Sequence, residues 1–346
     1  DMAGHPMPEP VLEQMAARDA QDAQSDVLTK KFSFMARKNA AELQLGGYVP
    51  GSIEGEMRKT QSLHTKTYSL GVKSLRIGNT YDDAQELLVF GPVAPQHHVP
   101  AILDTGSPCI MMPSNNENSY LQFSPYEQYQ DRMQPWKKMF ITIEGIDQGL
   151  EIAYEDLLVE HHTFLDQAWG TSIRPCVLPV TWDMKPPHWT PIVLGAVFFR
   201  SFNVLFDLTH ASAAVPPIIG IAKQNPAYDV IGISENDARG RGLDGDSVHR
   251  VFVQHPKIKV VHGVEKVGVQ NPNGHQFFTQ LAVGTPKQHM VVVVDTGSPL
   301  FGLFLNPASL GKYESHVSGL AHRRPPHLAP TETSGNGGVR STSTSE

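Results

Sequence analysis

Two apolar runs in this chain end in the same tetrapeptide. Ala101-Ile102-Leu103 leads into Asp104-Thr105-Gly106-Ser107, and Val291-Val292-Val293-Val294 leads into Asp295-Thr296-Gly297-Ser298; proline follows each copy. A short run of Val, Ile or Leu reads as a strand buried on both faces. Such a strand is rigid and delivers the Asp at its tip to a fixed point. Thr is short and β-branched, so it holds the strand-end geometry and offers a hydroxyl. Gly lets a second backbone or a ligand come close. The Ser hydroxyl can donate to the neighbouring carboxylate and help keep it ionised. Two such tips brought together place like charges in contact, so one carboxyl must hold a proton. One carboxylate then activates water while its protonated partner polarises a carbonyl. One Asp-Thr-Gly alone reads equally well as a strand and a polar turn. Two copies with the same lead-in favour Asp104 and Asp295 as a catalytic pair over a duplicated β-turn without chemistry. Thr105, Gly106, Ser107, Thr296, Gly297 and Ser298 are then the supporting residues.

The 346 residues suffice for one large or two medium domains, and 40% apolar against 18% charged residues reads as globular. A net charge of −7, with no aromatic residues interleaved among basic ones, suggests no nucleic-acid partner. No apolar run approaches membrane-spanning length. The opening Asp1-Met2-Ala3-Gly4-His5 is neither a signal peptide nor an ordinary initiator sequence, so the chain reads as processed, tagged or a fragment. Its two cysteines, Cys109 and Cys176, imply no disulfide framework; they read as buried thiols, with one disulfide as the alternative. Sixteen histidines include His97-His98 and His161-His162, but none has metal-ligand spacing, so they read as surface or loop residues. No metal and no cofactor is expected.

Along the chain, a helical stretch is expected around Val11–Ala20. Strands are expected at Phe32–Met35, Glu42–Leu45, Leu70–Ile77 and Phe140–Glu144, with glycine turns after Leu45 and Glu144. The fold class is mostly β with a few short helices. A linker follows from about Lys223 to Ser247. Residues 248–266, with Arg250, Lys257, Lys259 and Lys266, read as a solvated basic stretch. A second β region at 268–305 carries the second motif. The Pro/His/Ser/Thr/Gly-rich end, after about Ser315, reads as a disordered tail.

Taken in order, these segments resemble the pepsin-like aspartic peptidases. Pro10–Met15 is similar to the helix after the N-terminal lobe's active-site strands. Phe32-Ser33-Phe34 and Glu42–Gly47 resemble the crossover into the C-terminal lobe. Asp104–Ser107 falls where that lobe's catalytic motif belongs, with Ser107 where the family more often has Thr. Val193-Leu194-Gly195 resembles the hydrophobic-hydrophobic-Gly segment that packs beneath the catalytic loop, with Ala196 in place of a common acidic residue. Gly220-Ile221-Ala222-Lys223 is similar to the family's C-terminal ending. Phe277–Gln288 then resembles the first hairpin of an N-terminal lobe, leading into Asp295. Pro299-Leu300-Phe301-Gly302 stands where the family has Ser-Asn-Leu-Trp. No tyrosine far enough beyond Asp295 can serve as the family's flap; the last is Tyr313.

The resemblance implies this organisation: 1–30 a helical remnant of an N-terminal lobe's end, 31–223 a C-terminal lobe, 224–267 a linker with propeptide-like character as an alternative, 268–314 the start of an N-terminal lobe, and 315–346 the tail. In the propeptide alternative, Lys257 or Lys259 would cover the carboxylates. Three accounts remain open: a piece of a tandem array, favoured for the gene; a circular permutant in which Asp104 and Asp295 meet in one cleft; or an inactive relative. The implied activity is endopeptidase hydrolysis through water activated by two aspartates, at acid pH. The implied substrate is an extended peptide or protein with bulky apolar side chains around the cut. The alternative is a catalytically inactive peptide-binding protein. A secretory, vacuolar or lysosomal setting is implied by the family alone.

Overall fold

The computed structural model describes residues 29–38, 40–87, 98–113, 137–146, 149–165, 168–180, 191–231, 258–271, 277–283 and 288–297. The expected helix around Val11–Ala20, Lys257, Ser298, Tyr313 and the tail lie outside these residues. In chain order the strands are β1 (Lys31–Ala36), β2 (Ala41–Leu45), β3 (Ile53–Gln61), β4 (Ser69–Gly78), β5 (Gln85–Glu86), β6 (Val99–Leu103), β7 (Ile110–Pro113), β8 (Lys138–Ile143), β9 (Leu150–Ala153) and β10 (Leu158–Leu165). There follow β11 (Ala168–Pro175), β12 (Val177–Val180), β13 (Ile192–Leu194), β14 (Phe202–Asp207), β15 (Ile218–Gln224), β16 (Ile258–Val261), β17 (Val264–Val269), β18 (Phe278–Val283) and β19 (Gln288–Val293). Single helical turns stand at Tyr154–Leu157 and Phe198–Ser201. The protein is mostly β, in the manner of a pepsin-like lobe.

Two large sheets carry the architecture. An eight-stranded sheet runs β12-β7-β13-β6-β4-β8-β9, with β5 on the edge of β4. Its middle is apolar on both faces: Leu70, Val72, Leu75, Ala101, Leu103, Ile110, Ile192 and Leu194 are fully or almost fully buried. Ala101 and Leu103 are fully buried on one face of β6 and Ile102 is partly covered on the other, so the run is apolar throughout. β13 lies parallel to β6, with Leu194 opposite Leu103, and antiparallel to β7, with Leu194 opposite Ile110. The hydrophobic-hydrophobic-Gly segment is thus threaded between the strands that enter and leave the first Asp-Thr-Gly-Ser loop.

The seven-stranded sheet runs β16-β17-β2-β1-β14-β15-β3. Phe32 stacks on Phe206 across β1 and β14, at 4.6 Å between centroids, and Phe34 packs edge-on against Phe199 at 5.6 Å. Truncating a buried Phe of this kind costs about 3–5 kcal/mol. From Ser33 to Ala36, β1 is buried on both faces. Ser33 is fully buried and donates to Gln44 Oε1 at 3.0 Å.

The structure corrects two expectations. Cys109 and Cys176 are not thiols but a disulfide, joining the end of the first motif to the residue before β12. Closing a 67-residue separation in the unfolded chain is worth about 4 kcal/mol in the loop-entropy treatment. The basic stretch before residue 268 is not a solvated linker throughout. Residues 258–269 form the β16–β17 hairpin, and β17 pairs with β2 at Lys266 opposite Gln44. The Lys266 side chain is buried, because it has an acidic partner within the sheet layer. Lys259 lies in β16, opposite Lys266 in the hairpin register.

β17 continues into the other half of the site. Gln270 and Phe278 exchange backbone hydrogen bonds of 2.8 and 2.9 Å, Phe278 lies opposite Val293 in the β18–β19 hairpin, and Val294 N–H donates to Phe277 O at 2.8 Å. Phe277 is fully buried and packs against Phe34 of β1, at 4.8 Å between ring centroids. The apolar run before Asp295 is therefore tied to the sheet that begins with Lys31.

Candidate active site

Asp104 follows directly on β6, and its N–H donates to Leu194 O at 3.1 Å. Its Oδ1 accepts from Gly106 N–H (2.8 Å) and its Oδ2 from the Ser107 hydroxyl (2.6 Å). Asp295 follows β19 by one residue, and its Oδ1 accepts from Gly297 N–H at 2.9 Å. In both loops the carboxylate folds back on the backbone N–H of the glycine two residues on.

The threonines join them. Thr105 N–H donates to Thr296 Oγ1 (3.0 Å), and Thr296 N–H donates to Thr105 Oγ1 (3.0 Å). Each hydroxyl then donates onward across the interface, Thr105 Oγ1 to Val294 O (2.6 Å) and Thr296 Oγ1 to Leu103 O (2.8 Å). These four bonds span 189 to 193 residues of sequence. Both side chains are buried, so every group in the lattice would be costly to leave unpaired. The threonines cannot turn outward, and the two tips are held in register.

The result is a carboxyl pair. The Asp295 carboxyl and Asp104 Oδ1 crowd the same point, 2.8 and 3.1 Å from where a Cβ on Gly106 would stand. Two carboxyls this close can hydrogen-bond only when one carries a proton. The Asp104 pKa is raised, first by burial and then by the hydrogen bond and charge of Asp295, against the downward pull of the Ser107 and Gly106 donors. Asp295 is exposed. The glycines are dictated by this proximity. A Cβ on Gly106 would lie 2.8 Å from the Asp295 carboxyl carbon, and one on Gly297 would run into the Asp104 carboxyl. Beneath the first loop, a Cβ on Gly195 would strike the Ser107 and Cys109 carbonyls, while Ala196 N–H donates to Ser107 O at 2.7 Å.

Of the residues singled out from sequence, the structure brings together Asp104, Thr105, Gly106, Ser107, Asp295, Thr296 and Gly297. Sequence reasoning did not find the carbonyls of Leu103, Val294 and Leu194, which are backbone acceptors and leave no residue-type signal. His98, expected at the surface or in a loop, stands in the bend before β6 with its side chain largely buried and Nδ1 2.6 Å from Glu144 Oε2. Among the described residues, no cluster of His, Cys, Asp or Glu could hold a metal ion, and no helix is long and apolar enough to cross a membrane.

The first loop, its apolar lead-in and the glycine strand beneath it fall within a family match. Residues 13–217, more than half of the chain, match the model described as eukaryotic aspartyl protease. The chain belongs to that family. Asp295 and its hairpin lie outside the matched stretch. No curated protein matches the chain.

Proposed function

We propose that this aspartyl protease family member is an endopeptidase that uses Asp104 and Asp295 of one chain as a single proton-sharing pair. The reading rests chiefly on the reciprocal threonine lattice, which joins two Asp-Thr-Gly loops so that their carboxyls lie side by side. This also supports the permuted order, with the closing half of a site first in the chain and the opening of the other half after it.

In the resting pair, burial biases the proton towards Asp104. The exposed Asp295 carboxylate is then the general base. It takes a proton from a water as the water oxygen attacks the scissile carbonyl carbon. Asp104 gives its proton to the carbonyl oxygen, and a neutral gem-diol forms with no covalent enzyme intermediate. Proton transfer to the amide nitrogen, with return of a hydroxyl proton to the pair, breaks the C–N bond and restores the single shared proton. Ser107 and Gly106 hold Asp104 in place during the cycle, and Gly297 holds Asp295. The substrate is a peptide segment in extended form, and the working range is acid, where the pair still holds its proton.

The test is hydrolysis of an unstructured protein between pH 3 and 7, with and without a statine-type inhibitor. Cleavage should be inhibitor-sensitive and should be lost in Asp104→Asn and in Asp295→Asn, both still folded. Full activity in either variant removes that residue from the mechanism. A folded wild-type chain with no cleavage at any pH leaves a cleft that binds peptide without cutting it.

A further inference from the structure

A buried ion pair lies away from the carboxyl pair, in the seven-stranded sheet. Glu42 of β2 and Lys266 of β17 are both buried, with Lys266 Nζ 3.2 Å from Glu42 Oε2. The carboxylate is saturated. Its Oε1 accepts from Gln44 Nε2 (2.7 Å) and the Tyr228 hydroxyl (2.8 Å); its Oε2 also accepts from Ile231 N–H (3.0 Å). Gln44 is fixed in turn, its Oε1 accepting from Ser33 Oγ (3.0 Å) and Val49 N–H (2.8 Å). The ammonium donates to Asp229 O (3.4 Å) and sits 4.5 Å from the centre of the Tyr228 ring. One carboxylate thus binds the segment that leaves β15, at Tyr228 and Ile231, and the strand that returns as β17.

We propose that Glu42 and Lys266 are positioning residues that set the register of β17 and thereby the place of Asp295 beside Asp104. Burying two charges is a poor way to gain stability, and the best-attested use of such a pair is to select one register among several. β17 needs that selection. Its sequence, Val-Glu-Lys-Val-Gly-Val, has valines on both faces, and a slip by two residues would return valines to covered positions. Only one register sets the ammonium against Glu42. From Lys266 the register passes without a break through the Gln270–Phe278 bridge and the Phe278–Val293 pairing to Asp295. A slip of one residue moves the strand by about 3.3 Å, enough to break a hydrogen bond between the carboxyls. The threonine lattice locks the tips to each other; the ion pair determines which residues of β17 face β2.

This positioning role rests on the proposed pairing of Asp104 with Asp295, so its test carries a readout that needs no turnover. The Asp104 carboxyl is followed by 13C NMR titration, assigned by its loss in Asp104→Asn, in the full chain. In Glu42→Leu with Lys266→Met, which replaces the pair by apolar side chains, the fold should persist. The Asp104 midpoint should fall towards the ordinary carboxylate value as Asp295 moves away. Where turnover is present, kcat should drop about tenfold to a hundredfold with KM within about twofold. Lys266→Arg, which keeps the charge, should retain the wild-type midpoint. Should the double variant not fold, Glu42→Gln is read in the same way. A folded variant without the ion pair that keeps the wild-type Asp104 titration overturns the proposal. Absence of turnover in the wild type would sink the peptidase reading alone, because the titration decides the positioning role independently.

Discussion

Replacing Thr105 with valine keeps the side-chain shape and removes the hydroxyl from the lattice. Two bonds go: the 2.6 Å donation to Val294 O and the 3.0 Å acceptance from Thr296 N–H. The Thr296 amide is left buried and unpaired, at about 1–3 kcal/mol, and the part-buried Val294 carbonyl recovers only some of its loss from water. We therefore expect Thr105→Val to destabilise by about 2–4 kcal/mol, lowering the thermal midpoint by about 3–6 °C for a protein of this size. Thr105→Ser keeps the hydroxyl and loses one methyl group, and should cost about 1 kcal/mol. Urea denaturation of both variants, of Thr296→Val and of the double valine variant completes the measurement. Once one threonine is gone the loops separate, so the second substitution has less to break. The double variant should fall short of the summed single losses by about 1–3 kcal/mol. Additivity within about 0.5 kcal/mol, or Thr105→Val no costlier than Thr105→Ser, would refute the link between the loops. It would do so whether or not the chain cleaves peptides.

Gly106→Ala sets a Cβ 2.8 Å from the Asp295 carboxyl carbon, so the carboxyls must move apart by about 0.6 Å to reach ordinary contact. We expect a folded variant with kcat down about tenfold to a hundredfold and KM little changed, checked by steady-state kinetics beside a thermal melt. The raised Asp104 pKa also makes a statement about stability. The folded state prefers the protonated acid, so this contribution is full below the unfolded value of about 3.9 and is lost as pH rises through the higher folded value. Asp104→Asn cannot lose a proton, so its unfolding free energy should gain on that of the wild type from pH 4 towards 7. Urea titrations that stay parallel across that range would contradict the assignment.

The mostly-β class was legible in the sequence, and so were the hydrogen bonds within the first loop. Asp-Thr-Gly-Ser after an apolar run states its own local structure. Gly106 N–H to Asp104 and Ser107 Oγ to Asp104 are contacts over two and three residues, and any chain placing this tetrapeptide at a strand tip can make them. The segment Val193-Leu194-Gly195 could be placed beneath the loop because a resemblance supplied its partner. Faces were harder to read. In Ala41-Glu42-Leu43-Gln44-Leu45 an alternating pattern alone would turn the leucines inward. The structure buries Glu42 and Gln44 completely and leaves Leu43 and Leu45 only partly covered. Where both sides of a sheet are covered, alternation no longer separates core from solvent. The same error occurred at Lys266, whose basic neighbours in sequence suggested water. The deciding partner, Glu42, lies 224 residues away in sequence.

Residue order alone specifies two carboxylates, each at a strand tip and each beside its own amide donor, with the Ser107 hydroxyl added at the first. Those interactions are local, and local chemistry survives any arrangement of the rest of the chain. Residue order left open whether Asp104 and Asp295 belong to one site or to two half-sites with other partners. In three dimensions Thr105 and Thr296 exchange hydrogen bonds across 191 residues and bring the two loops together, and Lys266 of β17 meets Glu42 of β2. A proton can be shared only over hydrogen-bond distance, and no composition or spacing along a chain encodes a separation in space.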